Sequence, residues 1–441
     1  MVYDCFIFFN ELDLLELRFR ELDSVVDRFV VVEATTTFSG RPKPLVFAEN
    51  HGRYGKWQSR IIHVVVRDMP GGPDPWSRER HQRNAIRRGL KGAAPGDGVI
   101  ISDADEIPSA TAVRRWRPDM GVCRFQQMCC YYWLNCVGGT WTGSRILPLS
   151  MLDRFPDVDH VRRLECPVLE SGGWHFSYLG RTEGIREKLE SYSHQDLNID
   201  RFKDHRYISQ VTALGIDLFS RPGMIFRFCE IDDRFPAAIR EEPQRYAHLV
   251  RNAMFHEDWY PPDQLMRLAG LCENVRPLQG TVMEIGCWEG RSTVAMAHAC
   301  HPEVVWAIDT WRGNEDENVS HGTVHIARTR DVYGQFLQNV AALTGGNVRP
   351  VRQDCHAFLK EWREPVKLAH IDGSHDYRSV RRTLDALLPW MMPGGILCGD
   401  DFLTACASRR DLDGGVERAV REVLPGFQTS SNLWWCCKPG G

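Results

Sequence analysis

Short apolar runs that stop abruptly on polar residues recur along the chain, and they constrain its fold more than any other feature. In the first part they read "YDCFIFFN", "RFVVVEA", "RIIHVVV" and "GVIISDAD". In the second part they read "TVMEIGC", "VVWAIDT", "VRPVRQD", "KLAHIDG" and "GILCGDD". Each reads as a strand ending in polar residues, and amphipathic stretches separate them, the pattern of α/β domains. Leu12, Leu15, Phe19 and Leu22 fall at near-helical spacing, and "WSRERHQRNAIRRGLKG" reads as a strongly basic helix closed by Gly92.

At 441 residues the chain is too long for one ordinary core. The text turns charged and proline-bearing in "DDRFPAAIREEPQRYAHLVRNAMFHEDWYPP", which places a junction between a domain at 1–245 and another at 254–441. A formal net charge of −4 gives no electrostatic reason to expect nucleic acid as a partner. No apolar run approaches the ~18 residues of a membrane helix, so no membrane span is expected. The start, "MVYDCFIFFNELD", carries Asp4 and no basic segment, and reads as a first strand from Cys5 to Phe9. Fifteen cysteines without a C-x-x-C pair point to a reduced, intracellular compartment.

"GDGVIISDADEIPSA" sets Asp103, Asp105 and Glu106 at the end of a strand that should be buried. Side chains at i and i+2 of an extended chain share a face, about 6–7 Å apart. Asp103 and Asp105 are therefore expected to converge on one hard cation, Mn²⁺ or Mg²⁺, beside a phosphate. The competing reading is a solvated turn capping the next helix through Ser109 or Glu106.

Three blocks, "FIFFNELDLLELRFRELDSVVDRFVVVEATTTFSGRPKPL", "VIISDADEIP" and "GGWHFSYLG…REKLESYSHQD", together resemble the bisecting N-acetylglucosaminyltransferases, which act on β-linked mannose of N-glycans. The resemblance covers roughly residues 3 to 222. It implies a GT-A-like nucleotide-sugar-binding domain, a UDP-linked donor and a glycan or glycoprotein acceptor. Asn10, Glu11 and Glu33 are then expected to line the nucleotide pocket. Arg83 and Arg80 would meet the diphosphate or lie on a solvated helix face. His175 would complete the metal shell or touch the donor, or be a core histidine. An inverting transfer needs one carboxylate base, for which Glu170 is the candidate and Glu106 the other. Animal members carry a membrane anchor before this domain, whereas this chain begins at the catalytic strand. The expectation is a cytoplasmic enzyme of a bacterial or viral glycan pathway.

In the second part, "VMEIGCWEGRSTVAMA" places Glu284, Gly286 and Gly290 at a strand-to-helix turn, where glycine lets backbone approach a ligand. Trp288 beside that turn argues against a dinucleotide. E-x-G-x-x-x-G instead resembles the first motif of class I S-adenosylmethionine methyltransferases, a Rossmann-like fold. Asp309 is then positioned for the ribose hydroxyls and Asp354, with Cys355, near the adenine. "LAHIDGSHDYRSVRRTLDALLPWMMPGGILCGDDF" resembles the I-D-G-x-H-x-Y block of sugar O-methyltransferases of macrolide pathways. Neighbouring parallel strands would bring Asp372, Asp400 and Asp401 to one Mn²⁺ or Mg²⁺ ion, with His375 as general base.

The combined expectation is a bifunctional glycan-modifying enzyme that transfers a sugar and then methylates a hydroxyl. One alternative makes the first half a non-catalytic glycan-binding module. Another makes the second half an inactive scaffold or an NAD-binding domain.

Overall fold

Consecutive apolar residues make strands that can be buried on both faces, which is what a parallel sheet with covering helices requires. The computed structural model describes residues 1–221, 223–314, 322–403 and 414–439. It divides into two compact units, Met1–Ile208 with Asp217–Arg251, and Ser209–Ile216 with Asn252–Gly441.

In the first unit β1 (Val2–Phe8), β2 (Arg28–Ala34), β3 (Ile61–Val66) and β4 (Gly98–Asp103) are parallel. β1 lies between β2 and β4, so the chain works outward to β3 and then returns to the other side of β1. That reversal opens a crevice at the carboxyl ends of β1 and β4, where ligands of open α/β sheets bind. Pairing of Ile7 with Asp103 and of Phe8 with Glu33 sets the three strand ends level. A mixed half continues the sheet through β5 (Glu106–Pro108), β6 (Cys123–Tyr131), β7 (Cys136–Trp141), β8 (Arg145–Pro148), β9 (Val168–Ser177) and β10 (Arg227–Phe228), with β9 parallel to β6 and the other pairs antiparallel. Its order from the edge is β10-β7-β6-β8-β4-β1-β2-β3, with β9 pairing both β5 and β6. Alternate residues of β1 serve two cores. Phe6 and Phe8 pack with Phe19 and Phe29, and Cys5 and Ile7 with Val30 and Ile101.

The second unit has β11 (Thr281–Ile285), β12 (Val305–Asp309), β13 (Val348–Arg352), β14 (Val366–Ile371) and β15 (Met391–Gly399) in parallel. β16 (Gln428–Ser430) and β17 (Leu433–Cys437) close the edge, β17 antiparallel to β15. The order β13-β12-β11-β14-β15-β17-β16 again reverses beside the first strand of its unit. Among the described residues no helix is long and apolar enough to cross a membrane, and the cysteines are free thiols.

One buried ion pair fastens the first unit. Asp4 on β1 and Arg18 on the helix Leu12–Leu22 have no exposed side-chain surface, and Arg18 Nη2 lies 2.5 Å from Asp4 Oδ1. Arg18 also donates to the Ser102 hydroxyl and to the carbonyls of Asp103 and Glu106, at 2.5, 2.9 and 2.7 Å. Removing one partner of such a pair strands the other charge at a cost of about 3–5 kcal/mol. Arg18→Met is therefore expected to lower the urea stability of the first unit by about that amount. Asp4→Leu with Arg18→Met should recover much of the loss. A single variant as stable as the parent would remove Arg18 from this role.

Candidate active sites

At the first crevice the D-x-D acids do not face one another. Asp103 accepts from Arg83 Nη1 at 2.6 Å and lies 3.1 Å from Arg162 Nη2. Arg83 is buried on the helix Pro75–Asn84 and also meets Glu79 and Asp159, at 2.7 and 3.1 Å. Asp105 accepts instead from Lys188 Nζ at 2.7 Å, on the helix Arg181–Ser191. His175 Nε2 is 3.8 Å from the same carboxylate. Burial pushes Asp105 upward, but Lys188 and then His175 outweigh it and hold the carboxyl below its ordinary value. Burial raises Asp103 despite Arg162 and Arg83.

Glu106 is the hub of this cluster. Its oxygens accept both terminal nitrogens of Arg162 at 2.7 Å, Trp141 Nε1 at 2.6 Å and the Asp103 amide at 3.1 Å. The Ser144 hydroxyl lies 3.0 Å away. Burial raises this carboxyl, yet the Arg162 guanidinium overrides it and holds Glu106 well below the usual carboxylate range. A group so tightly held is a poor proton acceptor.

A cleft of about 380 Å³ opens against Phe9, Thr37, Arg41, Lys43, Arg186 and Glu187. Asn10 reaches its edge by donating to Glu187 Oε2 at 2.9 Å. Glu11 accepts the amides of Phe9 and Asn10, each at 3.0 Å, and burial and Asp105 raise its carboxyl.

In the second unit Gly286 follows β11 with φ +83°, and a Cβ there would stand 2.0 Å from the Asp372 carbonyl oxygen. The turn and the end of β14 therefore touch through backbone, and only glycine fits. Gly290, at φ +87°, begins the helix Arg291–Cys300. Asp309 accepts the amides of Cys287 and Trp288 at 2.7 and 3.0 Å and that of Trp311 at 2.6 Å. Burial nonetheless raises it.

The ends of β14 and β15 assemble a ligand group. Carboxylate oxygens of Asp372 and Asp401 and a ring nitrogen of His375 lie within 4.8 Å of one another. His375 Nε2 is 2.8 Å from Asp401 Oδ2. Asp400 stands alongside, buried, and its Oδ1 has no hydrogen-bond partner among the described residues. Burial and the neighbouring Asp401 push Asp400 up to about 6. Burial and both neighbours push Asp372 well above its ordinary value. Mutually repelling buried acids with an unanswered oxygen fit a divalent cation.

The model of glycosyltransferase family 17 matches residues 1–250, more than half of the chain. The chain belongs to glycosyltransferase family 17. A methyltransferase domain model matches residues 283–402, so both units are transferase domains. The β-1,4-mannosyl-glycoprotein 4-β-N-acetylglucosaminyltransferase of Rattus norvegicus is 37% identical over 246 residues, 46% of this chain and 45% of that one. The enzyme of the same name from Homo sapiens is 37% identical over 244 residues, 46% of each chain. This chain thus spans about half the length of the curated relatives it matches. Among solved structures, the O-methyltransferase NovP is 18% identical at a TM-score of 0.30, covering 40% of this chain and 79% of its own. The TDP-rhamnose 3′-O-methyltransferase CalS11 of calicheamicin biosynthesis is 19% identical at 0.27, covering 40% and 80%.

Several residues expected at the family 17 site meet other partners. Asp103 is paired with Arg83 and Arg162, and Asp105 with Lys188, in place of the shared cation expected from their spacing. Arg83 is a buried counter-ion of Asp103, whereas Arg80 pairs with Asp74 on the solvated face. Glu33 has no exposed surface and does not line the cleft. Its oxygens take the amides of Phe47 and Ala48, and His63 Nε2 lies 3.1 Å away. Glu170 is exposed near the start of β9, five positions before His175, and its carbonyl accepts from Arg115. It is not brought to the acids.

In the methyltransferase unit Glu284 is directed into the core, bonded to Thr293 and 3.2 Å from His370 Nδ1. Asp354 is exposed and caps the helix Cys355–Glu361 by accepting the Ala357 amide at 2.9 Å. Arg162, Lys188 and Trp141 were not singled out from sequence. Their signal lies in the acids themselves, since each buried carboxylate requires a partner.

Glu106 carries a pH prediction. A carboxyl held below its ordinary 4.5 contributes stability that is complete above that pH and lost as pH falls through the lower native value. Glu106→Gln is therefore expected to flatten the acid limb of the family 17 unit, by up to about 1.4 kcal/mol per pH unit. Urea midpoints between neutral pH and pH 3 would show it, and an unchanged slope would count against the assignment.

Proposed function

We propose that the family 17 unit, on a GT-A-like scaffold, transfers an N-acetylglucosamine-like sugar from a UDP-linked donor to a glycan hydroxyl. The methyltransferase unit then O-methylates a sugar hydroxyl. The observation that carries the first half is Asp105, a buried carboxylate held by Lys188 of the helix that lines the cleft through Arg186 and Glu187; the cleft presents Arg41, Lys43 and Arg186 among Glu183, Glu187 and Glu190. These cations suit a nucleotide diphosphate, and a diphosphate in the cleft competes for Lys188. Turning Lys188 toward the donor leaves Asp105 as a desolvated, more basic carboxylate. In an inverting transfer the acceptor oxygen bonds to the anomeric carbon while the bond to the diphosphate breaks. Asp105 takes the hydroxyl proton, and Lys188 faces the charge that develops on the leaving group.

In the methyltransferase unit S-adenosylmethionine, bound over the Gly286–Gly290 turn, would supply an electrophilic methyl group. Asp372, Asp400 and Asp401 would hold a divalent cation, which lowers the pKa of a coordinated hydroxyl. His375, oriented by Asp401, removes the hydroxyl proton. We assign the pair of activities to one product because they share one chain, glycosyl transfer first.

A glycan-binding first unit is the second reading, favoured by the full pairing of Asp103 and Glu106. One experiment separates them: mass spectrometry of products from UDP-sugars, S-adenosylmethionine, Mn²⁺ and simple mannosides. Asp105→Asn is expected to lower sugar transfer by about 10²–10⁴-fold while UDP still binds. Methyl transfer without any sugar transfer by the parent chain would support the binding module instead. His375→Ala should lower methyl transfer over a similar range, about 10²–10⁴-fold. The rise in melting temperature on adding Mn²⁺ should persist in His375→Ala and vanish in Asp372→Asn. A His375→Ala chain that no longer responds to Mn²⁺ would make that histidine a ligand rather than the base.

A further inference from the structure

The geometry points to Trp141 as the stacking platform for the acceptor sugar ring, a role that rests on the glycosyl-transfer reading above. Trp141 ends β7 and is 38% exposed, whereas Tyr131, Tyr178, Phe176 and Phe226 around the same site are buried. A large aromatic left open beside a buried acid cluster needs a reason, and its surroundings show that its place is built. The indole Nε1 donates to Glu106 Oε1 at 2.6 Å, and Glu106 is fixed in turn by both terminal nitrogens of Arg162. One indole face lies over the His175 ring, centroids 4.7 Å apart and planes 33° apart. Room for this bond depends on Gly143, where a Cβ would stand 2.4 Å from both Glu106 Oε1 and Trp141 Nε1.

The indole is thus held at one edge and backed on one face. Its other face is a rigid apolar surface, and a pyranose presents a matching face of C–H groups. His175 links the platform to the chemistry, with Nε2 3.8 Å from Asp105 and a buried Nδ1 that has no hydrogen-bond partner among the described residues.

Sheet order decides which sugar sits there. The cleft residues Phe9, Arg41 and Lys43 follow β1 and β2, on one side of the acids at the end of β4. Trp141 comes from β7, which lies on the far side of β4 beyond β8 and β6. A donor in the cleft leaves the Trp141 side to the acceptor.

The test uses the full chain, with methyl mannoside as acceptor probe followed by saturation-transfer NMR, and UDP followed by calorimetry. Trp141→Ala is expected to raise the mannoside Kd about tenfold or more, the size of a lost stacking contact. Trp141→Phe keeps a ring without the N–H and should fall between. Gly143→Ala keeps the indole but displaces it, and should weaken the mannoside. UDP affinity should stay unchanged in all three. Mannoside binding that ignores Trp141→Ala overturns the platform and leaves the donor reading standing. A parent chain that binds UDP but no mannoside overturns it as well. Mannoside binding that depends on Trp141 in a chain that binds no UDP keeps the platform and overturns the transferase reading.

Discussion

A guanidinium with no exposed surface must have its charge and its N–H groups answered inside the protein, and Arg18 meets that demand at the root of the first site. Asp4 takes the charge, Phe6 lies under the cation with its ring centre 4.3 Å away, and the remaining bonds go to Ser102 and to two carbonyls of the D-x-D turn. The turn that aims Asp103, Asp105 and Glu106 is therefore not a free surface loop. It is fastened to β1 and to the first helix through one side chain. A charge on β1 inside an apolar sheet otherwise costs several kcal/mol, so Asp4 and Arg18 are intelligible only as a pair.

The same logic explains what was legible from the residues alone. The apolar runs show their strands directly, because a strand buried on both faces has few alternatives. The carboxylates at the strand ends are equally visible, since ligand sites gather where an α/β sheet reverses. Direction is not visible. Spacing at i and i+2 places Asp103 and Asp105 on one face of an ideal strand, but β4 ends at Asp103 and the chain turns before Asp105. Their counter-ions come from residues far along the chain, Arg162 and Lys188, which no local pattern connects to them.

The basic helix "WSRERHQRNAIRRGLKG" shows the limit from the other side. Its charge density leaves Arg80 and Arg83 open to a diphosphate or to solvent, yet Arg78 and Arg83 are buried while Arg80 is not. Helical spacing distributes side chains around an axis, and only the packing decides which of them meets a carboxylate. Glu284 repeats the lesson in the methyltransferase unit. In a parallel pair it stands beside His370, so its side chain enters the same layer and completes a relay with Tyr260, whose hydroxyl is 3.0 Å from His370 Nε2. The glycine two positions later shows the opposite case. Its need for positive φ and for contact with the Asp372 backbone is what a strand-to-helix glycine implies from sequence.

The two units answer one electrostatic problem in opposite ways. Both gather acids at the carboxyl end of a parallel sheet, where burial makes each negative charge expensive. In the family 17 unit arginine and lysine side chains pair with them. Lys188 is the one such partner that also borders the cleft helix, next to Arg186 and Glu187. In the methyltransferase unit Asp372 and Asp400 have no lysine or arginine bridge among the described residues, and both are driven toward the protonated state. Added positive charge would relieve that repulsion. The first arrangement suits a ligand that exchanges partners with resident cations, and the second suits a ligand that brings positive charge. A chain of near-neutral net charge thus carries two acid clusters whose chemistry is set by the partners each was folded with.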